Sequence, residues 1–352
     1  MSDNHDIDID QQSDTPELYE HHRFTVDPGQ TTMRIDVFLA DRIGGSVSRS
    51  RIQQAAEAKC ILVNNKPVKA SYKIKPLDSI SVVMATPPHE LEVGPEDIPL
   101  DIVYEDDDLI VVNKPAGMVV HPAYGNYTGT LVNALMHHLR HLPLFSSGQV
   151  RPGLVHRIDK NTSGLLVIGK NEMATNALAK QFFERTTSRR YVALAWGDME
   201  SDEGTIEGNI DRHPNDRTRR QVCPPDQGKH AVTHWRTLER FGFVSLVECR
   251  LETGRTHQIR VHFAHIRHPL FNDEVYGGDR IVKGNPTSKF KQFIDNCFGL
   301  CPRQALHART LGFTHPTTDQ AMHFEAPLPP DMASVIEKWR TYSRYVPMLE
   351  ED

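Results

Sequence analysis

Gly153-Leu154-Val155-His156-Arg157-Ile158-Asp159-Lys160-Asn161-Thr162-Ser163-Gly164-Leu165-Leu166-Val167 decides how this chain is read. An arginine and an aspartate lie two apart, turn formers follow, and an apolar run then reads as a buried strand. A loop of this kind can hold a carboxylate at the rim of a sheet, where rigid structure supports it. An Arg–Asp pair that merely caps a turn gives the same pattern. A second loaded stretch is Leu251-Glu252-Thr253-Gly254-Arg255-Thr256-His257-Gln258-Ile259-Arg260-Val261-His262. Polar residues follow a glycine at the start of an apparent helix, where an arginine suits an anionic ligand or a carboxylate. A helix-capping turn reads the same way.

Outward from these stretches, Asp101–Tyr104 and Leu109–Val112 read as strands joined by the acidic turn Glu105–Asp108. Leu131–Leu142 and Ala174–Phe183 carry helical apolar stripes, and Leu165–Ile168 reads as a buried strand. Strand-like runs follow at Tyr191–Trp196, Ala231–Leu238 and Val244–Leu251, and a terminal helix covers Ala333–Tyr345. Strands returning through short turns predict a mixed, mostly antiparallel sheet flanked by helices, in the α+β class. Residues 33–84 read as a separate small α+β module. Ile35, Phe38, Leu39 and Ile43 recur at helical spacing, and Ser48 suits the N-cap of a second helix through Ile52 and Ala56. Cys60–Val63, the turn Asn64-Asn65-Lys66 and Ile80–Val83 then close the module with strands.

The 352 residues are 38% hydrophobic and 24% charged, enough for a buried core in two domains. No apolar run reaches the length of a membrane-spanning helix. The acidic start lacks the signature of a secretory leader, and five cysteines do not suggest a disulfide scaffold, so a reducing cytoplasm is expected. The formal net charge of −6 is uneven. Residues 1–30 sum to −7, residues 33–80 to +5, residues 87–112 to −9 and the remainder to +5. Basic parts of this kind suit phosphate-rich partners, although solvated charged surface explains them as well. The expected organisation is a disordered acidic tail over 1–30, the small module over 31–86, a linker over 87–98 and the main domain over 99–350. Phosphate-loop and dinucleotide glycine signatures are lacking. His137, His138 and His141, and His262, His265 and His268, are spaced as metal ligands could be, but lie among Arg140, Arg260 and Arg267. No metal is expected from them.

Taken together, the motifs are specific. Met33-Arg34-Ile35-Asp36, Ser48-Arg49-Ser50-Arg51-Ile52 and Val63-Asn64-Asn65-Lys66-Pro67-Val68 resemble the S4 RNA-binding domain. His156-Arg157-Ile158-Asp159 with Thr162-Ser163-Gly164-Leu165-Leu166 resembles the active-site motif of the RluA-type pseudouridine synthases. Val112-Asn113-Lys114-Pro115-Ala116-Gly117 resembles that family's opening motif, Arg190-Tyr191-Val192-Ala193-Leu194 its tyrosine motif, and Gly254–His262 its arginine motif. Pro269-Leu270 with Asp273–Gly277, and Gln304–Ala308, complete the order. The resemblance covers about 33–345 and is closest to the RluD-like subgroup. One departure is Ile158, where the family usually has leucine.

The resemblance implies conversion of uridine to pseudouridine in RNA, most plausibly large-subunit ribosomal RNA, free or in an assembling particle. The C1′–N1 bond breaks and C1′ rejoins the base at C5, with no redox change and no cofactor. By the same resemblance, Asp159 is the catalytic carboxylate, acting at carbon or as a base at the sugar, and Arg255 is the arginine that keeps it ionised. Tyr191 is expected against the uracil, with Leu306 on the other face and His156 at the substrate. Arg157 is expected to fill the space the extruded base leaves. Arg34, Arg49, Arg51, Lys66 and Lys73 are the expected phosphate contacts of the S4-like module. A monomer is expected, and a noncatalytic RNA-binding assembly factor is the alternative.

Overall fold

The computed structural model describes residues 19–43, 49–84, 94–122, 126–146, 152–214, 216–284 and 286–345. The chain forms two compact units, one taking in Gly94–His121 and Thr128–Asp352, the other Asp8–Val93 and Pro122–Tyr127.

The smaller unit contains β1 (Tyr19–Thr25), α1 (Ile35–Ile43), α2 (Arg49–Glu57), β2 (Ile61–Val63), β3 (Lys66–Pro67) and β4 (Ser79–Met84). Its strands pair in the order β1-β4-β2-β3. The apolar stripe of α1 (Ile35, Phe38, Leu39) packs on Ile52, Ile61, Val63, Ile80 and Val82. The β2–β3 turn places Asn64 and Asn65 at φ 51° and 65°, the left-handed pair that matches strand twist in a two-residue hairpin. The expected disordered tail over 1–30 is corrected at its second half. Tyr19–Thr25 pairs with β4, and Phe24 and Val26 join the core. Alternating Phe24 and Val26 carry enough apolar surface to add a strand, which the average polarity of the segment hid. Ser48 and the side chain of Arg51 lie outside the described residues.

The larger unit begins earlier than the expected linker allows. Glu96 accepts from the backbone N–H of Gly129, and Asn133 donates to the Gly94 carbonyl, so the end of 87–98 is tied into this unit. It contains β5 (Ile102–Glu105), β6 (Leu109–Lys114), α3 (Leu131–His138), α4 (Pro143–Ser146), β7 (Ser163–Gly169), α5 (Glu172–Phe183) and β8 (Ser188–Trp196). Then come β9 (Glu203–Glu207), β10 (Asn209–His213), β11 (Asp216–Cys223), β12 (Val232–Arg240), β13 (Val244–Leu251) and α6 (Gln258–His265). The last elements are α7 (Ser288–Leu300), β14 (Leu306–Thr314), β15 (Ala321–Glu325) and α8 (Pro330–Tyr345).

Nine strands form one sheet in the order β5-β6-β7-β14-β8-β13-β12-β9, with β15 also on β14. Among the described residues only the short β14–β7 pairing of named strands is parallel, so the mixed, mostly antiparallel α+β class holds. On β8, Val192, Leu194 and Trp196 point into a core with Trp339 of α8 and Phe290 of α7. The alternate residues, Arg189, Tyr191 and Ala193, therefore occupy the opposite face. There Leu178 and Phe182 of α5 pack with Val155, Leu165 and Leu311. Helix α5 starts where Asn171 accepts from the Ala174 N–H, which fixes its entry against β7. The β10–β11 hairpin is a separate two-stranded ribbon. The sequence pattern did not show it, because its Arg-rich strands lack apolar alternation.

Candidate active site

The 155–162 segment leads into β7, whose seven residues are all buried. Gly164 makes the junction possible. Its φ is +121°, and a Cβ there would lie 2.2 Å from the Ala308 carbonyl oxygen, so no other residue lets β7 approach β14 this closely.

The loop backbone is held by two buried cations. Lys114, 1% exposed, donates from Nζ to the carbonyls of Pro115 (2.7 Å), Met118 (2.8 Å) and Lys160 (3.1 Å). Burial lowers its pKa to about 7 against the opposing pull of Asp159. Arg303 donates to the Asn161 carbonyl at 2.9 Å and forms a two-pronged bond with Asp331 at 2.7 and 3.0 Å. Consecutive carbonyls just after Asp159 are thus fixed from both sides, which limits where its side chain can go.

Asp159 keeps 20% of its side chain exposed. Its Oδ2 accepts from Nη1 of Arg260 at 3.1 Å, and His257 Nε2 lies 3.9 Å from Oδ1. Arg260, 5% exposed, is itself aimed by Asp273, which takes Nε at 2.7 Å and Nη2 at 2.9 Å. Asp273 is fully buried and also accepts the N–H groups of Val275 and Tyr276. The Tyr276 ring lies under the Arg260 guanidinium at 5.1 Å, and its hydroxyl meets His257 Nδ1 at 2.8 Å and the Arg220 N–H at 2.9 Å. The site is therefore a chain of carboxylate, guanidinium and carboxylate, with the Tyr276 ring against the guanidinium and its hydroxyl on His257.

Burial pushes the Asp159 carboxyl up, but His257, Arg260 and Arg157 outweigh it and hold the pKa below the usual carboxylate range. Burial lowers the pKa of His257 itself, despite Asp159. At neutral pH the permanent charges of Arg260 and Arg157 therefore do the holding. Asp159 is ionised and still reaches solvent, as an attacking carboxylate or general base must.

Tyr191 on β8 is buried, opposite Ala308 of β14 and Cys249 of β13. Burial, then the Asp159 charge, raises its hydroxyl pKa against the pull of Arg189. Leu306, buried opposite Ala193, shares that face. Arg157 is exposed and meets His121 Nε2 at 3.1 Å.

Two expectations change. The guanidinium on Asp159 belongs to Arg260, not Arg255. His257 sits at φ 59°, a left-handed residue that turns the chain between them. Arg260 in the first turn of α6 then faces inward, while Arg255 gives its Nε to the His230 carbonyl at 3.1 Å. His156 is a packing residue: its Nε2 accepts the Val167 N–H at 3.1 Å and its ring stacks on Phe182 at 4.4 Å. Burial and the Arg189 charge keep it neutral, with a pKa of about 3.

The histidine clusters are dispersed into hydrogen bonds. His138 meets Glu105, His262 meets Thr233 and His268 meets the Trp196 carbonyl, at 2.8, 2.9 and 2.7 Å. Among the described residues no three such side chains converge as metal ligands would. In the smaller unit, Asp36 gathers Arg34 (two bonds of 3.0 Å), Arg49 (3.3 Å) and Gln53 (3.1 Å). Lys66 and Lys73 are exposed.

Sequence reading missed Arg260, Asp273, Tyr276 and Lys114 as site residues, although each lies inside a quoted motif. The helical spacing of Gly254–His262 alone could not separate Arg255 from Arg260 without the left-handed residue between them.

With this geometry established, comparison with known proteins defines the class. Residues 108–265 match the RNA pseudouridylate synthase family, and residues 33–80 match the S4 domain. The chain belongs to the RNA pseudouridine synthases, which are isomerases. An uncharacterized RNA pseudouridine synthase of Chlorobaculum parvum is 47% identical over 315 residues, covering 89% of this chain and 95% of the relative. The ribosomal large subunit pseudouridine synthase D of Nitrosomonas europaea is 44% identical over 316 residues, covering 90% and 87%. Human RNA Pseudouridylate Synthase Domain Containing 1 shares the fold at a TM-score of 0.51 and 24% identity, over 71% of this chain and 96% of that one.

Proposed function

We propose that this chain isomerises uridines of large-subunit ribosomal RNA, with Asp159 as the reacting carboxylate and no cofactor. The observation that carries the reading is the ionised, partly open Asp159 carboxylate, held by Arg260 and Asp273 on the sheet face that presents Tyr191. The relatives named for large-subunit ribosomal RNA support the substrate.

A uridine inside a helix must be extruded, at a cost of a few kcal/mol of stacking. Arg157, exposed beside Asp159, is placed to occupy the vacated space with its planar guanidinium. Tyr191 and Leu306 offer an aromatic and an aliphatic surface for the uracil. Asp159 acts at the sugar while C1′–N1 breaks; the base then rejoins through C5, and Tyr191 lies near for removal of the C5 proton. The bonds broken and formed balance within the nucleoside, so no electron carrier is needed. Arg34, Arg49, Lys66 and Lys73 contact phosphates in this reading, and so position the RNA rather than read its sequence.

The test is Asp159→Asn assayed on unmodified large-subunit ribosomal RNA by chemical mapping of pseudouridine. The expected result is retained RNA binding with turnover lost by about a thousandfold or more. Substantial residual product would remove Asp159 from the chemistry.

A further inference from the structure

Arg189, like Arg219 over Tyr276, packs on an aromatic ring with a buried Nε. It is on β8, two residues before Tyr191 and on the same sheet face. Its guanidinium lies over the Phe182 ring at 5.2 Å. On another side it approaches the loop before α6: a Cβ on Gly254 would lie 3.1 Å from its Nη1. Among the described residues nothing accepts a hydrogen bond from its side chain, and its Nε is buried without a partner. Its neighbour His156 is kept neutral and adds no competing positive charge.

Arginine carries five N–H donors in a fixed fork. The contact with Phe182 uses the cation's charge but none of those donors. A buried donor without an acceptor is costly to keep. Arg260, by contrast, gives donors from all three of its nitrogens to Asp273 and Asp159. Arg189 is therefore a cation whose charge reaches Tyr191, with its acceptor still to come.

We propose that Arg189 binds an RNA phosphodiester next to the extruded uridine and so positions the nucleoside over Asp159 and Tyr191. Two non-bridging phosphate oxygens match the guanidinium fork. The Phe182 ring, itself stacked on His156, holds the side chain ready, so little ordering is needed on binding. This inference rests on the proposed RNA substrate, and its readout is binding rather than turnover.

The experiment uses the full chain and unmodified large-subunit ribosomal RNA transcript. Equilibrium binding is measured across a salt series, and kcat and KM are measured separately. Arg189→Gln is expected to weaken binding several-fold, raise KM with it, and reduce the slope of log affinity against log salt by about 1. Phe182→Leu, which keeps the charge but removes the ring, is expected to leave that slope unchanged. An unaltered slope in Arg189→Gln, or the same slope loss in Phe182→Leu, overturns the proposal. In the unmutated protein, phenylglyoxal should label Arg189 and bound RNA should prevent it. Labelling unaffected by RNA, or no labelling in the free protein, also overturns it. A failure of the broader reading looks different: the unmutated protein would make no pseudouridine, whatever the slope.

Discussion

Both units of this molecule organise arginines around a buried carboxylate, and they do so to opposite ends. In the larger unit, buried Asp273 takes two prongs of Arg260, which is 5% exposed, and aims the third at Asp159. In the smaller unit, buried Asp36 holds Arg34 and Arg49, whose side chains remain 45% and 55% exposed. A sealed arginine cannot greet a phosphate, but in low dielectric its charge acts strongly on one neighbour. An exposed arginine is screened and acts weakly on its neighbours, but it can exchange water for a phosphate. In the proposed reading the same pairing tunes the reacting carboxylate in one unit and presets a phosphate-binding surface in the other.

The largest effect should come from breaking the sealed version. Arg260→Gln leaves Asp273 buried without its cation, and stability should fall by about 3–5 kcal/mol. Turnover should drop by about 10²–10³-fold. The pH profile carries the sharper sign. In the proposed mechanism Asp159 acts when ionised, and its pKa is depressed, so the acid limb should lie below the usual carboxylate range. The stability from that depression is present above the unfolded pKa and lost as pH falls through the folded one. Without Arg260 the effect of burial gains weight, and the limb of kcat against pH should move up. Arg255→Gln should leave the limb in place and change kcat less than about tenfold. Equal shifts in the two variants would restore Arg255 to the role the sequence suggested.

The way the arginine was misplaced shows what a sequence carries. Strands such as Val244–Leu251 announce themselves through apolar runs, because burial on two faces leaves little choice of residue. Asp159 is legible for a different reason: the turn formers and the apolar strand after it suggest a rim loop, and the resemblance of the whole motif set singles out the aspartate. The choice between Arg255 and Arg260 depends on one backbone dihedral at His257, and a histidine at φ 59° has no sequence signature. Asp273 was hidden because its partner is contributed by α6, thirteen residues away. The β10–β11 ribbon and the strand at Tyr19–Thr25 were missed because averages over polar segments conceal a few inward side chains. The sequence pattern reads burial well; it reads who meets whom only where neighbours are near in the chain.

An intermediate effect should come from the exposed version. Asp36→Asn removes a negative charge from a surface read here as RNA-binding. If net charge alone set affinity, the variant would bind RNA more tightly. If Asp36 matters because it places Arg34 and Arg49, binding should weaken, by about threefold to tenfold at moderate salt, with kcat at saturating RNA unchanged. Filter binding of the transcript decides between the two signs, and tighter binding would reduce Asp36 to a structural ion pair. The Arg34 hydrogen bond holds the Asp36 carboxyl far below the usual range, against the cost of burial. Its contribution to stability should therefore persist in mild acid and disappear only in strong acid, which circular dichroism across pH can follow.

The smallest effect tests whether the two units can be adjusted separately. In the β2–β3 turn, Asn64 is used twice: its side chain donates to Asp78 at 3.0 Å and accepts the Ser79 N–H at 3.0 Å. Asn65 supplies only its backbone, at φ 65°. Glycine reaches that conformation without strain, and Asn-Gly is the favoured pair for this turn. It also loosens the unfolded chain, so the two effects partly cancel. Asn65→Gly should stabilise the smaller unit by a few tenths of a kcal/mol in urea unfolding, whereas Asn64→Gly should destabilise it through the lost side-chain bonds. Neither should move the acid limb of kcat, because that limb belongs to a carboxylate and a guanidinium that both reside in the larger unit. A shift of the limb in either variant would show that the turn and the Asp159 carboxylate are coupled, contrary to the separation argued from their carboxylate–arginine pairs.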